Sequence, residues 1–332
     1  MLKILLTGAN GQLGKTLKKK LSEDFVVSAF GKDELDLTNF EKVEKICAEL
    51  KPDFVVNAAA FTAVDRAESE RDLARKINAE VVGRLAEICR NLNAKLIHFS
   101  TDYVFDGTNP NGYAEDAGPH PINFYGQSKL EGEKKIQESG CDFAIIRTSW
   151  LFGDGQNFVN TMLRLASVNA EIKVVSDQVG SPTFTEDLAK TTREILNCLP
   201  TEASAKAGHS LPRCHCEISE AIPIVIPSLS PVIPATKWPP RGESGNPELK
   251  AGENPNLKGE IFHVTNSGAT SWADFARKIF ELKNLPTKVR DIPSADFPTA
   301  AERPRNSILL NTKLPQMRSW EDALREFLKN NK

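Results

Sequence analysis

Two sets of residues in this chain have the types and spacing for chemistry. In YGQSKLEGE, Tyr125 and Lys129 are four apart, which places both on one face of a helix. A phenol ordinarily titrates near ~10, and a neighbouring ammonium stabilises the phenolate and brings that value down. A phenol tuned in this way can pass its proton to a carbonyl oxygen as hydride arrives at the carbon. That oxygen needs a second hydroxyl to hold it, and FSTDYVF offers Ser100 and Thr101. The other set is TGANGQLG, with Gly8, Gly11 and Gly14 at every third position. Gly8 suits a tight turn, Gly11 a close approach to a pyrophosphate, and Gly14 close packing of helix on strand.

Neither motif is specific by itself. Tyr-x-x-x-Lys is a frequent coincidence on amphipathic helices, and a glycine-rich turn need not bind anything. Their positions give them weight. KILLTG reads as a buried first strand, and GQLGKTLKKKLSE as a helix with Leu13, Leu17 and Leu21 on one stripe. Further strands are expected at FVVSAF, DFVVNAAA, KLIHFSTDYVF and FAIIRTSW. Helices are expected at 39–50, with Thr38 or Asn39 as cap, at 71–92 as one long element, and from Tyr125 to Ser139. Near-continuous apolar strands alternating with helices imply a parallel sheet covered on both faces, a Rossmann-like doubly wound α/β fold. Thr101 then falls at the C-terminal end of a strand, where such sheets bind ligands.

The second strand ends in SAFGKDELDL, with Gly31 and Lys32 where a ribose-reading acid is expected. Lys32 would attract a 2′-phosphate and favour NADPH, whereas Asp33 or Glu34 would reach a ribose and favour NADH. The balance leans slightly to NADPH. Asp36 and Leu37 follow, at a place where an adenine edge is commonly met.

Bulk properties narrow the class. The chain has 332 residues, with 42 Lys plus Arg against 44 Asp plus Glu, so nothing favours nucleic acid or an anionic membrane surface. It has no apolar run long enough to span a bilayer, and six scattered Cys do not read as a disulfide framework, so a cytoplasmic protein is expected. Residues 1–150 read as the nucleotide-binding domain, to which 171–199 returns, with Thr185 as a helix cap. Residues 151–170 and 258–332 read as a smaller C-terminal substrate-binding lobe. Between them, 200–257 carries 10 of the 20 prolines and reads as a disordered insertion. His209, Cys214, His215 and Cys216 in it do not have zinc-finger spacing.

The glycine loop, STDYVF and Tyr-x-x-x-Lys together resemble the extended short-chain dehydrogenase/reductase family. NAAAFTAVDRAE, STDYVFDG, YGQSKLEGE, RTSWLFG, NFVNTMLRLA, DQVGSPTF and ERPRNS narrow the resemblance to its dTDP-4-dehydrorhamnose reductase branch. It covers nearly the whole chain except 200–257, where the family pattern has only a short connection. The resemblance implies NAD(P)H-dependent reduction of the 4-keto group of dTDP-4-dehydro-β-L-rhamnose, in dTDP-rhamnose biosynthesis. It implies Tyr125 as proton donor, Lys129 as its tuning charge and ribose ligand, and Thr101 as the holder of the keto oxygen. Asn10, Gln12 and Leu13 match glycine-loop contacts, and Ala58, Ala59 and Thr62 match contacts beneath the cofactor. Val64, Asp65, Asp102, Trp150, Arg303 and Asn306 match the substrate region. The expected partner is a dTDP-sugar, with room for a homodimer and for Mg2+.

Plainer roles compete for some of these positions. Trp150 would serve as core, Asp65 as a helix cap, Asn78 as a partner for backbone groups and Arg303 as a solvated charge. Two other functions share the motifs. One is a non-catalytic nucleotide-binding subunit, similar to the β subunit of methionine adenosyltransferase. The other is a nucleotide-sugar epimerase or dehydratase, for which Asp102 beside Thr101 would supply a carboxylate. Gly126 is expected to clear the nicotinamide side of the helix start.

Overall fold

The computed structural model describes residues 1–199 and 259–330. β1 (Lys3–Thr7), α1 (Gln12–Leu21), β2 (Val26–Phe30), α2 (Phe40–Leu50) and β3 (Phe54–Asn57) open the chain. Then come α3 (Val64–Ser69), α4 (Arg71–Arg75), α5 (Val81–Leu92), β4 (Lys95–Thr101), α6 (Phe124–Glu138) and β5 (Asp142–Thr148). With β10 (Glu260–His263) these strands form one six-stranded sheet, ordered β10-β5-β4-β3-β1-β2, with every pairing parallel.

Both faces of this sheet are buried, which is why its strands are apolar at consecutive positions. Ile4, Leu6, Phe54 and Val56 face one layer, with Leu13, Leu17 and Leu21 of α1. Leu5, Val55 and Leu96 face the other, with Val43 of α2 and Val82, Leu85 and Ala86 of α5. The stripe expected for α1 is therefore the one it buries. For α2 the cap is Asn39, whose side chain accepts from the Lys42 N–H.

The helix expected over 71–92 is interrupted. Residues Lys76–Glu80 form a π-helical turn between α4 and α5. There Asn78 is turned out to the loop after β3, and α6 presses against it so closely that a Cβ at Gly132 would lie 2.2 Å from the Asn78 carbonyl oxygen. A single π turn accommodates such an intrusion without ending the helix.

After β5 come β6 (Leu151–Phe152), α7 (Phe158–Ala166), β7 (Glu171–Val175), β8 (Val179–Gly180), β9 (Thr183–Phe184) and α8 (Thr185–Cys198). After β10 come β11 (Thr270–Ser271), α9 (Trp272–Leu282), β12 (Lys288–Ile292) and α10 (Trp320–Asn330). A second core gathers Phe152, Phe184, Phe275, Trp320 and Phe327 from this part of the chain. The division between the two bodies departs from the expected one at two strands. Glu171–Val175 pairs with β12 in the smaller body rather than returning to the main sheet. Glu260–His263, expected in the lobe, is the sixth strand of the main sheet beside β5. Four- and five-residue apolar strands carry no mark of which edge they join, so sequence could not assign them. Only α8 returns, packed on α1 through the Thr16 and Thr185 hydroxyls at 3.3 Å. Thr185 is its first helical residue and not its cap, a position held by Phe184 without a side-chain bond. Residues 200–257, with His209, Cys214, His215 and Cys216, lie outside the described residues.

Candidate active site

The strand order runs outward in both directions from β1 and β3, so the switch point lies between their C-terminal ends. Gly8 sits there with φ +70°, and a Cβ on it would lie 2.6 Å from Ala58 and Ala59 backbone atoms. Both the turn and the close approach require glycine. Gly14 packs on the same turn, where a Cβ would lie 2.0 Å from the Gly8 carbonyl oxygen. Gly11 is exposed and meets little, which keeps that stretch of backbone open. α1 begins with no side-chain cap, so its first N–H groups point free at the switch point. The Leu13 side chain is buried in the core, which leaves only its backbone N–H for a ligand. Gln12 Nε2 is a buried donor without a protein partner. This cradle suits a dinucleotide pyrophosphate.

At the end of β2, Gly31 is covered by the Asn10 side chain, and its N–H donates to Glu34 Oε2 at 2.7 Å. A carboxylate therefore stands at the strand end, with Lys32 exposed beside it. Asp36 accepts from the Thr38 N–H and hydroxyl, which lower its pKa. Leu37 packs partly into the core beneath, and Thr62 is exposed on the loop after Ala58 and Ala59.

α6 starts where β4 ends. Its cap is Asn123, whose side chain accepts from the Gly126 N–H at 2.8 Å and donates to the Glu302 carbonyl at 2.8 Å. Gly126 serves a different purpose from the one expected. A Cβ there would lie 2.0 Å from the Tyr103 carbonyl oxygen, so this glycine lets the first turn of α6 lie on the end of β4. That contact brings Tyr125 beside Thr101, whose hydroxyl pulls the phenol pKa downward against a larger upward push from burial, to about 12. Tyr103 stacks edge-on against Tyr125 with ring centroids 5.6 Å apart. The two hydroxyl candidates separate cleanly, because Ser100 donates to Glu133 on the far side of the strand. Thr101 donates to Asp102 Oδ1 at 3.0 Å. Asp102 is fully buried, which raises its carboxyl to about 6, and the Ser307 hydroxyl draws it back down.

Lys129 corrects the expectation drawn from spacing. It shares the helix face, but its Nζ turns inward to the Phe99 carbonyl at 2.7 Å and His98 Nε2 at 3.1 Å. Its charge is not among the influences on Tyr125 in the cofactor-free protein. Burial lowers Lys129 to about 8, opposed by the nearby Glu133. Glu133 itself is buried in a two-pronged ion pair with Arg147, at 3.0 and 2.7 Å.

The substrate-side residues converge only in part. Asp65, next to Val64 in the first turn of α3, holds Arg303 through two bonds of 2.7 Å. Arg303 also donates to the Ala301 carbonyl at 2.7 Å, so it is a fixed group and not a solvated loop charge. Trp150 lies half-buried with φ 46° and stacks on Trp272 at 3.4 Å, over Gly180. A tryptophan held in left-handed backbone is a strained arrangement of the kind that clusters at binding sites. The Asn306 side chain is taken up by the Asn109 carbonyl at 2.8 Å and the Ile308 N–H. Asn78 bonds the Phe61 N–H and carbonyl and the Ser128 hydroxyl, the plain backbone role weighed for it. Among the described residues no three His, Cys, Asp or Glu cluster to hold a metal, so nothing there supports the Mg2+ allowed by the resemblance.

Sequence reading missed His98, Asn57, Asn123 and the Glu133–Arg147 pair. Asn123 had a signal: an Asn just before a helix start, three residues ahead of Gly126. A His within an apolar strand carries no such mark.

The RmlD substrate binding domain family matches residues 2–210 and 249–332. A dTDP-4-dehydrorhamnose reductase of Burkholderia thailandensis is 36% identical over 324 residues, covering 95% of this chain and 92% of that protein. One from Sinorhizobium fredii is 34% identical, covering 98% and 97%. The crystal structure of the Bacillus anthracis dTDP-4-dehydrorhamnose reductase in complex with NADP superposes with TM-score 0.80 at 35% identity, covering 99% of this chain and 100% of that one. A Thermus thermophilus UDP-glucose 4-epimerase shares the fold alone, with TM-score 0.67 at 17% identity.

Proposed function

The chain belongs to the RmlD substrate binding domain family, that of the dTDP-4-dehydrorhamnose reductases, and from that premise we propose its reaction. It reduces the 4-keto group of dTDP-4-dehydro-β-L-rhamnose to give dTDP-β-L-rhamnose, with NADPH as the preferred donor, in the cytoplasm. The observation that carries this reading is the Tyr125–Thr101 pair at the C-terminal end of β4, in the same sheet as the glycine cradle.

Bound NADPH supplies hydride to the keto carbon. Thr101 turns its single O–H from Asp102 to the keto oxygen, and that hydrogen bond orients it. Tyr125, protonated throughout the neutral range, gives its proton to that oxygen as negative charge gathers there. Asp102 accepts from Thr101 in the ligand-free protein and gives that bond up when the keto oxygen takes it. Because that carboxylate is buried and accepts from Thr101 in the ligand-free protein, a dehydratase role for it is disfavoured. Lys129 reaches the nicotinamide ribose, and its charge lowers the phenol pKa once cofactor is in place. Gly8, Gly11 and Gly14 admit the pyrophosphate, with Asn10, Gln12 and the Leu13 N–H around it. Lys32 supports the preference for a 2′-phosphate, and the Glu34 carboxylate at the same strand end supports NADH as a second donor. Asp65 and Arg303, with Val64 and Trp150, close the sugar-nucleotide side.

The test is an assay from dTDP-glucose coupled through the upstream enzymes, following NADPH and NADH absorbance separately. Tyr125→Phe is expected to lose about 10²–10⁴-fold in turnover while still binding NADPH. Undiminished turnover in that variant overturns the assignment. NADPH binding without turnover in the wild type favours the regulatory-subunit reading.

A further inference from the structure

A buried chain of hydrogen bonds runs from the glycine loop to Lys129. Thr7, Asn57 and His98 are register partners on β1, β3 and β4, all on the sheet face that α6 covers. Thr7 Oγ1 donates to Asn57 Oδ1 at 2.7 Å, Asn57 Nδ2 meets His98 Nδ1 at 3.0 Å, and His98 Nε2 meets Lys129 Nζ at 3.1 Å. All four residues are at most 1% exposed, so water does not supply alternative partners.

The direction of this chain is determined. The Ala59 backbone N–H, which can only donate, points at Asn57 Oδ1 at 3.1 Å. That pins the amide oxygen and leaves Nδ2, a donor, facing the imidazole. His98 Nδ1 must therefore accept, and a neutral imidazole then carries its proton on Nε2. This N–H faces Lys129 Nζ. An ammonium has three donors and no lone pair, so it would meet His98 donor to donor. A neutral amine accepts from Nε2–H and still donates to the Phe99 carbonyl.

We propose that His98 is a positioning residue that holds Lys129 as a neutral amine in the cofactor-free protein, and that Nζ takes up one proton from solvent as NADPH draws it off His98. Ribose hydroxyls accept from an ammonium, which His98 Nε2–H cannot, and the anionic cofactor favours a positive charge nearby. The step forms one N–H bond on the Nζ lone pair and breaks none in the protein. The charged and titratable groups facing Lys129 are His98 from β4 and, from its own helix, Glu133. Glu133 favours the ammonium, but Arg147 on β5 already pairs with it. Burial favours the amine, and burial likewise holds His98 far below its usual range. The inference rests on Lys129 binding the cofactor, and so on the reductase reading, but its first test does not.

The chain has five His, so ¹⁵N-histidine long-range NMR can resolve each ring, with His98 assigned by its loss in His98→Gln. The cofactor-free protein at pH 8 is expected to show His98 as the Nε2–H tautomer. An Nδ1–H or doubly protonated ring overturns the proposal whatever the enzyme's substrate. Calorimetry of NADPH binding at pH 9, above the Lys129 value of about 8, in buffers of different ionisation enthalpy, is expected to show uptake approaching one proton. No uptake in the wild type also overturns it. Gln at position 98 offers an amide oxygen to an ammonium, so uptake should vanish in His98→Gln. The alkaline limb of kcat/KM for NADPH should move up by at least one pH unit. A fall in activity with uptake and limb unchanged would mean a merely structural His98. Should that variant fail to fold, the wild-type tautomer and uptake decide alone.

Discussion

Lys129 and Glu133 stand one turn apart on α6, both buried, and the protein treats them oppositely. Glu133 has a full complement: two prongs of Arg147 and the Ser100 hydroxyl. Lys129 has no carboxylate bonded to it, only a carbonyl and an imidazole. The first is a closed ion pair that ties α6 to β4 and β5 and has nothing left for a ligand. The second is a buried amine left without a counter-charge, on which an anionic cofactor would favour a proton. Burial is the same in both places; whether the charge is already answered separates scaffold from site.

The largest effect should come from the closed pair. Glu133→Ala leaves Arg147 charged and buried, at a cost of about 3–5 kcal/mol. Chemical denaturation should show it as a large drop in midpoint, with cofactor affinity of the folded fraction little changed. If stability falls by less than about 1 kcal/mol, the pair is not the anchor described here. Lys129→Met should do the reverse, lowering kcat/KM by about 10²-fold or more, in the range of acid–base contributions, with a smaller stability change. Equal losses in both variants would erase the contrast.

Gly126→Ala tests the joint between helix and strand. Its Cβ would drive α6 off the Tyr103 carbonyl, an overpacking cost of about 1–3 kcal/mol. Activity should fall further than stability does, because Tyr125 moves away from Thr101; a fall confined to stability would show the joint to be packing alone.

The smallest effect is spread over pH. His98 and His263 are buried with folded pKa values below the usual 6.5, His263 at about 4. Below 6.5 the unfolded chain binds protons that the folded one refuses. The stability present above that pH is therefore lost as pH falls, by about 1.4 kcal/mol per unit for each His. Asp102, raised to about 6, runs the other way, since its folded form binds a proton more readily and regains stability as pH falls below 6. Denaturation midpoints measured at pH 7, 6 and 5 should thus decline, with the Asp102 gain cancelling about one His. His98→Gln should flatten that decline; a slope unchanged by the variant would place the titration elsewhere.

Much of the molecule was legible in advance, for reasons tied to period and spacing. Apolar strands alternating with a leucine stripe and a glycine triplet admit little but a parallel sheet with a nucleotide cradle at its first turn. Strand ends were legible too, so Ser100 and Thr101 could both be offered to Tyr125, and the resemblance pointed to Thr101. The second lobe was harder. Glu171–Val175 and Glu260–His263 are too short to declare a sheet, and they took opposite places from those expected. Gly126 was legible as special but not as to why, because its neighbour is a carbonyl 23 residues earlier in the chain.

The sequence by itself determined the fold class and the family and marked out the glycine turn and the phenol, because each depends on local period or on a motif at a known point in the alternation. Only the tertiary structure decided where Lys129 points, which of Ser100 and Thr101 faces the phenol, and how Asn57 and His98 join them. Those depend on which side chains from separate strands share a face and on which groups, once out of water, can donate or accept. Tyr125 and Lys129 four residues apart define a helix face. The donor–acceptor direction of a chain crossing three strands is what sets the proton count on that lysine.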